Sequence, residues 1–214
     1  MSVLIFANGV IGEKEWLRPY LEDATAVIAA DGGSRHLLEI GWLPDMVIGD
    51  MDSLPAAART RLETAGSQFI VQPRDKEQTD LEIALLHAAA HYSDDILLFG
   101  LLGGRLDQML ANILLLAHPA LRGRQVQLVN QHERAWVIVS EGQIMGAVGD
   151  IVSLIPLRGD VRVAATSGLR WPLRQEQLAF GQARGISNVM TAEVATVTVQ
   201  SGCLLCVHMG ERDA

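Results

Sequence analysis

Met46-Val47-Ile48-Gly49-Asp50-Met51-Asp52-Ser53 runs from a short apolar stretch straight into two carboxylates. Residues that are apolar at successive positions suit a strand buried on both faces. In an open parallel sheet such strands deliver ligand-binding groups just past their carboxyl ends. The same grammar recurs outward from this stretch. Apolar runs fall at Val3–Ala7, Ala26–Ala30, Phe69–Val71, Ile96–Phe99 and Val126–Val129. Helical patterns lie between them at Glu13–Glu22, Ser34–Ile40, Pro55–Ala65, Thr79–His91 and Arg105–Ala117. Thr79 and Glu82 form a capping-box pattern that starts one helix, and Pro55 marks a first turn. Repeated β-α units predict a three-layer α/β/α domain with a mainly parallel sheet.

Past Gln131 the helical period fades. Short β-rich runs follow at Ala135–Val139, Gln143–Ala147, Ile151–Ile155, Val161–Ala164, Val194–Val199 and Leu204–His208. Turn signals such as Glu141-Gly142, Gly149-Asp150 and Ser201-Gly202 separate several of them. The expected division is an α/β domain over residues 1–131 and a small antiparallel β-sandwich over 132–214.

Aspartates repeatedly occupy the strand ends and helix starts: Asp31, Asp50, Asp52, Asp80 and Asp107. Two carboxylates about 4 Å apart repel by about 4 kcal/mol at an effective dielectric near 20. A cation among them relieves that repulsion, so the pattern points to Mg²⁺ and a phosphate-bearing substrate. Asp50 and Asp52, two apart, are expected to point the same way on extended backbone, about 6.8 Å apart. Gly32-Gly33 and Gly103-Gly104 let backbone approach a ligand, and helix starts favour phosphate. Neither the dinucleotide fingerprint nor the G-K-[ST] phosphate loop is present. Arg74, Lys76 and Arg105 supply positive charge beside the acids.

Bulk composition agrees with a folded, acidic, small-molecule protein. The 214 residues are 49% hydrophobic with a net charge of −8. That charge argues against DNA, RNA or anionic membranes as main partners. The apolar run Met109 to Ala117 is too short for a membrane span and contains Asn112. The N-terminus has no basic stretch and reads as a buried strand, so a cytoplasmic location is expected. Cys203 and Cys206 form a C-x-x-C, yet they fall in a strand pattern with no second pair, and read as buried thiols. His87 and His91 lie one turn apart on an alanine-rich face and read as packing rather than ligation. In the second domain Trp171 offers a stacking plate for a flat, cationic heterocycle, and Ser187 and Asn188 offer hydrogen bonds or turn caps.

Taken in order, these segments closely resemble the thiamine pyrophosphokinases over nearly the whole chain. The likeness rests on Asn8-Gly9, Asp31-Gly32-Gly33, Gly49-Asp50-Met51-Asp52-Ser53, Lys76 with Thr79-Asp80-Leu81-Glu82, and Gly104-Arg105-Leu106-Asp107. It continues through Ser153–Leu157, Gly168-Leu169-Arg170-Trp171-Pro172-Leu173 and Ser187-Asn188. The resemblance implies transfer of pyrophosphate from ATP to the hydroxyl of thiamine, giving AMP and thiamine diphosphate. It implies that Asp31, Asp50, Asp52, Asp80 and Asp107 handle Mg²⁺ and the reacting groups, with Asp50, Asp52 and Asp80 as metal ligands. Gly32, Gly33, Lys76, Gln78, Thr79, Gly104 and Arg105 would bind ATP and its phosphates, and Trp171, Ser187 and Asn188 would bind thiamine. It also implies a homodimer with thiamine between the α/β domain of one subunit and the β domain of the other. Three positions depart from the family pattern. Glu77 replaces a frequent aspartate, Gln108 a frequent histidine and Val189 a frequent glutamate.

Which aspartate accepts the hydroxyl proton stays open on the sequence. Two other functions share the same motifs. One is a pyrophosphokinase for another hydroxymethyl heterocycle, such as a pterin. The other is a thiamine- or nucleotide-binding sensor that has kept the scaffold without the chemistry.

Overall fold

The computed structural model describes residues 1–210. They divide into two compact units, Met1–Leu128 and a second from Val129 onward. In the first unit the strands are β1 (Ser2–Phe6), β2 (Ala24–Ala30), β3 (Met46–Gly49), β4 (Gln68–Val71), β5 (Asp95–Phe99) and β6 (Val126–Val129). They hydrogen-bond in the order β6-β5-β1-β2-β3-β4, and every pairing is parallel. Val3, Leu4, Ile5 and Phe6 are all fully or almost fully buried at consecutive positions. Side chains therefore meet covered surface on both faces of β1, as the unbroken apolar runs require. The outermost strand, β4, has no fully buried residue, which is the condition of an edge.

The helices are α1 (Arg18–Glu22), α2 (Ser34–Glu39), α3 (Ala56–Thr64), α4 (Asp80–His91) and α5 (Leu106–Leu115). α4 packs across β1, β2 and β3. Its start follows the expected cap, with Thr79 Oγ1 accepting from Glu82 N–H at 3.2 Å. The predicted helix at Glu13–Glu22 is shorter than expected. A 3-10 turn at Glu15–Leu17 precedes α1, which carries Pro19 in its first turn, where a missing N–H costs nothing. That turn lets Trp16 and Tyr20 pack on Phe99 at 5.9 and 5.3 Å between ring centroids.

Strand order places a switch point between β1 and β5. The chain builds outward from β1 to β4, then returns to the other side of β1. The segments leaving β1 and β5 stay hydrogen-bonded past the strand ends, Ala7 N–H to Phe99 O at 2.8 Å and Gly9 N–H to Gly100 O at 2.7 Å, and ligands bind at the carboxyl ends beside such a switch point.

The second unit contains β7 (Glu133–Ile138), β8 (Glu141–Met145), β9 (Ile151–Pro156), β10 (Val161–Ser167), β11 (Arg174–Leu178), β12 (Asn188–Val189), β13 (Val194–Ser201) and β14 (Leu204–Met209). One set pairs in the order β12-β9-β14-β7 and a separate sheet runs β11-β10-β13-β8; all these pairings are antiparallel. Their inner faces share a core that includes Ile144, Leu154, Val163, Val197 and Cys206. Both cysteines are free and buried, and burial pushes the Cys206 thiol up to about 12. The sequence pattern did not announce β11 or β12. Arg-Gln-Glu-Gln-Leu has no apolar alternation because β11 lies at a sheet edge with mostly exposed side chains. β12 is two residues long.

Candidate active site

A cavity of about 830 Å³ opens at the carboxyl ends of the parallel strands. Four of the five aspartates line it: Asp31 after β2, Asp50 and Asp52 after β3, and Asp80 at the start of α4. Asp31 is 7% exposed. Gly49 makes this convergence possible. A Cβ there would stand 2.8 Å from Asp31 Cβ and 3.0 Å from Asp80 Cγ, so any side chain would drive the two acids apart.

Backbone geometry around the acids differs from the extended reading. Met51 has φ +64° and Asp31 φ +42°, a left-handed conformation that costs non-glycine residues of order 1–3 kcal/mol and gathers at functional sites. The kink at Met51 replaces an extended Asp50–Asp52 pair with a turn in which Asp52 N–H donates to Asp50 Oδ1 at 3.1 Å. One oxygen each from Asp31, Asp50 and Asp52 then lies within 4.8 Å of the others. Asp31 Oδ1 is buried and accepts no hydrogen bond.

Asp80 is engaged differently. Lys76 Nζ lies 2.8 Å from Asp80 Oδ1 and 3.9 Å from Asp50 Oδ2. The Asp52 amide, followed by the nearby Lys76 charge, holds the Asp50 carboxyl below its ordinary range. Burial pushes the Asp80 carboxyl up, against the pull of Lys76 and reinforced by the charges of Asp31 and Asp50. Asp80 stays beside the other acids, with Asp31 Cβ and Asp80 Cγ flanking Gly49 and Lys76 lying between Asp80 and Asp50. The resemblance implies Asp50, Asp52 and Asp80 as metal ligands, and all three line this cavity beside Asp31.

Cations complete the rim. Arg74 pairs with Asp52 at 3.3 Å. Gln78, Thr79, Gly32 and Gly104 line the cavity with Lys76. Arg105 also lines it, and its guanidinium grips Asp107 through Nη2 at 2.5 Å and Nε at 3.1 Å. The fifth aspartate is therefore bound to Arg105, and that hydrogen bond draws its carboxyl below the usual range. Gly33 serves packing: a Cβ there would meet Phe6 O at 1.9 Å.

Two lining residues, Asn8 and Asn112, have no role assigned on the sequence. Asn8 lies just past β1, and Asn112 donates to Leu101 O at 3.0 Å from inside a leucine-rich helix. The Asn8-Gly9 break after a buried strand was the available sign of the first. Only the fold reveals the second.

A smaller cavity of about 240 Å³ lies within the second unit, lined by residues that include Trp171, Ile186 and Asn188. Trp171 is 56% exposed. Asn188 is buried, and its carboxamide is committed to the chain. Oδ1 accepts from Trp171 N–H at 3.0 Å and from Val189 N–H at 2.9 Å, while Nδ2 donates to Trp171 O at 2.7 Å. Ser187, at φ +57°, donates its N–H to Ser153 Oγ at 3.0 Å. Asn188 thus holds the Trp171 backbone, whereas Ser187 is tied to β9 through Ser153.

Fold and cavities together define a two-domain protein, α/β then antiparallel β, with a carboxylate-and-cation cleft at the parallel strand ends. The profile described as thiamin pyrophosphokinase, catalytic domain, matches residues 17–128. The profile for the vitamin B1 binding domain of thiamin pyrophosphokinase matches residues 139–204. A thiamine pyrophosphokinase of Bacillus subtilis (strain 168) is 30% identical over 194 residues, covering 90% of this chain and 91% of that protein. Among solved structures, thiamine pyrophosphokinase from Bacillus subtilis superposes with a TM-score of 0.86 at 28% identity, over 99% of this chain and 100% of the other. The enzyme from Geobacillus thermodenitrificans gives 0.83 at 29% identity, over 100% and 99%. The chain belongs to the thiamine pyrophosphokinase family.

Proposed function

We propose that this protein transfers pyrophosphate from ATP to thiamine, yielding AMP and thiamine diphosphate. The observation that carries the reading is the meeting of Asp31, Asp50, Asp52, Asp80 and Lys76 in one cavity at the strand ends. Thiamine's primary alcohol attacks the β-phosphorus of ATP. The new bond joins that oxygen to phosphorus, the bond to the bridging oxygen breaks, and AMP leaves carrying the electron pair. A cavity carboxylate takes the hydroxyl proton. Lys76, Arg74 and Arg105 offset charge on the phosphate oxygens, which is the main protein contribution in this class of transfer.

The donor set fits a divalent metal. Asp31, Asp50 and Asp52 present clustered hard oxygens, and Asp31 Oδ1 is an unmet buried acceptor of the kind that costs about 1–3 kcal/mol when left alone. Mg²⁺ held by these residues would neutralise phosphate charge and acidify the alcohol.

Trp171, exposed above the smaller cavity, is the stacking surface for thiamine. α5 supports a homodimer as the working form. Leu106, Leu110 and Leu114 stand one turn apart at 69%, 53% and 55% exposure, an apolar stripe that a partner would cover. Light scattering of the wild type and of Leu110→Lys tests this, since the variant is expected to shift toward monomer.

Incubation with Mg-ATP and either thiamine or a hydroxymethyl pterin, followed by separation of AMP from ADP, tests the reaction. Thiamine-dependent AMP that disappears on chelation is the expected result. AMP released only with the pterin transfers the reading to that acceptor. Tight thiamine binding without AMP under any divalent ion makes the protein a sensor.

A further inference from the structure

His36 lies in α2 and is 3% exposed. Its Nε2 is 2.8 Å from the carbonyl oxygen of Gly9. A carbonyl can only accept, so Nε2 carries the proton. Nδ1 is buried and has no partner. A second proton there would create a buried donor with nothing to meet it. Burial, aided by the Arg35 and Lys14 charges and opposed by the Gly9 bond and Glu39, draws the imidazole below its ordinary range. The ring is therefore a neutral, one-way donor.

That bond joins two walls of the larger cavity. Asp31 and Gly32 lie immediately before α2 and line one side, and Asn8 and Gly9 line another. The walls touch: a Cβ on Gly32 would stand 2.5 Å from Asn8 Nδ2. On its far edge the Asn8-Gly9 loop is zipped to the segment after β5, with Gly9 N–H on Gly100 O and Val10 N–H on Leu102 O, each at 2.7 Å. Backbone bonds thus fix the loop to the β5 side, and His36 fixes it to the β2 side.

We propose that His36 is a positioning residue for the nucleotide, its Nε2–H holding the Gly9 carbonyl and so setting the gap between the Asn8-Gly9 and Asp31-Gly32 walls. The proposal rests on the reading of this cavity as the Mg-ATP site.

Full-length His36→Gln, His36→Asn and His36→Leu variants test it. A glutamine amide nitrogen can reach the place of Nε2, whereas asparagine is too short and leucine has no donor. KM for Mg-ATP is expected to rise about three- to tenfold in the asparagine and leucine variants, the loss of one hydrogen bond. It should stay within about twofold of wild type in the glutamine variant, with kcat and KM for thiamine little changed in all three. Hydrogen exchange without substrate gives a second reading: the Gly9 and Val10 amides should exchange faster in the asparagine and leucine variants only. Unchanged exchange, parallel rises in both KM values, or faster exchange with an unaltered KM for Mg-ATP would each overturn the role. Failure of the wild type to form AMP instead sinks the underlying functional reading, and the exchange data test the His36–Gly9 strut regardless. Should leucine prevent folding, the glutamine–asparagine pair alone carries the comparison.

Discussion

Lys76 Nζ sits 2.8 Å from Asp80 Oδ1, four residues on at the start of α4, and its other near acid is Asp50 at 3.9 Å. Both lysine and acid side chains are mostly shielded from solvent. This ammonium is the positive charge closest to the acids at the centre of the cleft. Lys76→Met should lower kcat by about 10²–10³, the usual loss when one electrostatic contact to the transition state is removed. Circular dichroism at the assay temperature should still report the wild-type fold. Wild-type turnover in this variant would remove Lys76 from the chemistry.

Proton binding in the cleft should be split between two acids. Burial raises Asp80, while the Asp52 amide and then Lys76 lower Asp50. The stabilisation from Asp50 is present above its unfolded pKa and is lost as pH falls through its depressed folded value. Asp80 runs the other way: its contribution is present below the unfolded pKa and is lost as pH rises through its raised folded value. Carboxyl-carbon NMR of metal-free protein should show Asp80 protonating first as pH falls and Asp50 well after it. The reverse order would contradict the charge arrangement.

Asn188 should act on thiamine through Trp171. Its carboxamide makes two bonds to the Trp171 backbone, at 3.0 and 2.7 Å. Asn188→Ala leaves buried groups unmet and should cost about 1–3 kcal/mol. KM for thiamine should rise by about tenfold or more while KM for Mg-ATP holds. An unchanged thiamine KM would show that the Trp171 wall does not hold this substrate.

Stability without function should be visible at Arg124. Its guanidinium donates to Ala89 O at 3.1 Å, Tyr92 O at 2.6 Å and Asp94 O at 2.8 Å. It therefore binds the carboxyl end of α4, where a cation also meets the helix dipole favourably. Arg124→Ala should destabilise the fold by about 2–3 kcal/mol in urea melts, with kcat/KM per folded molecule unchanged. Loss of activity at full stability would give this residue a role the cleft does not show.

Much of this was readable in one dimension because it depends on local rules. Strands buried on both faces must be apolar at consecutive positions, so Val3–Ala7 and Met46–Ile48 declared themselves. Helix starts need caps, so Thr79 and Glu82 declared theirs. The edge strand β11 did not, because exposed side chains owe nothing to a core. The 3-10 turn before α1 escaped for a similar reason: its shape answers to Trp16 and Tyr20 packing on Phe99, a contact far away in sequence.

For the cleft, residue order alone announced an acidic, phosphate-seeking edge, since every one of these carboxylates follows a strand or opens a helix. Partnership came only with three dimensions. On extended backbone Asp50 and Asp52 would point the same way; the kink at Met51 instead makes a turn that brings an oxygen of each near Asp31, and Lys76 lies between Asp50 and Asp80. Asn188 read as a ligand contact or a turn cap, and its amide makes the bonds of a cap, two of them to the Trp171 backbone. Strand position and charge are properties of a segment. The distance between two side chains depends on backbone dihedrals and on which groups another segment has already engaged, and neither is written in the segment itself.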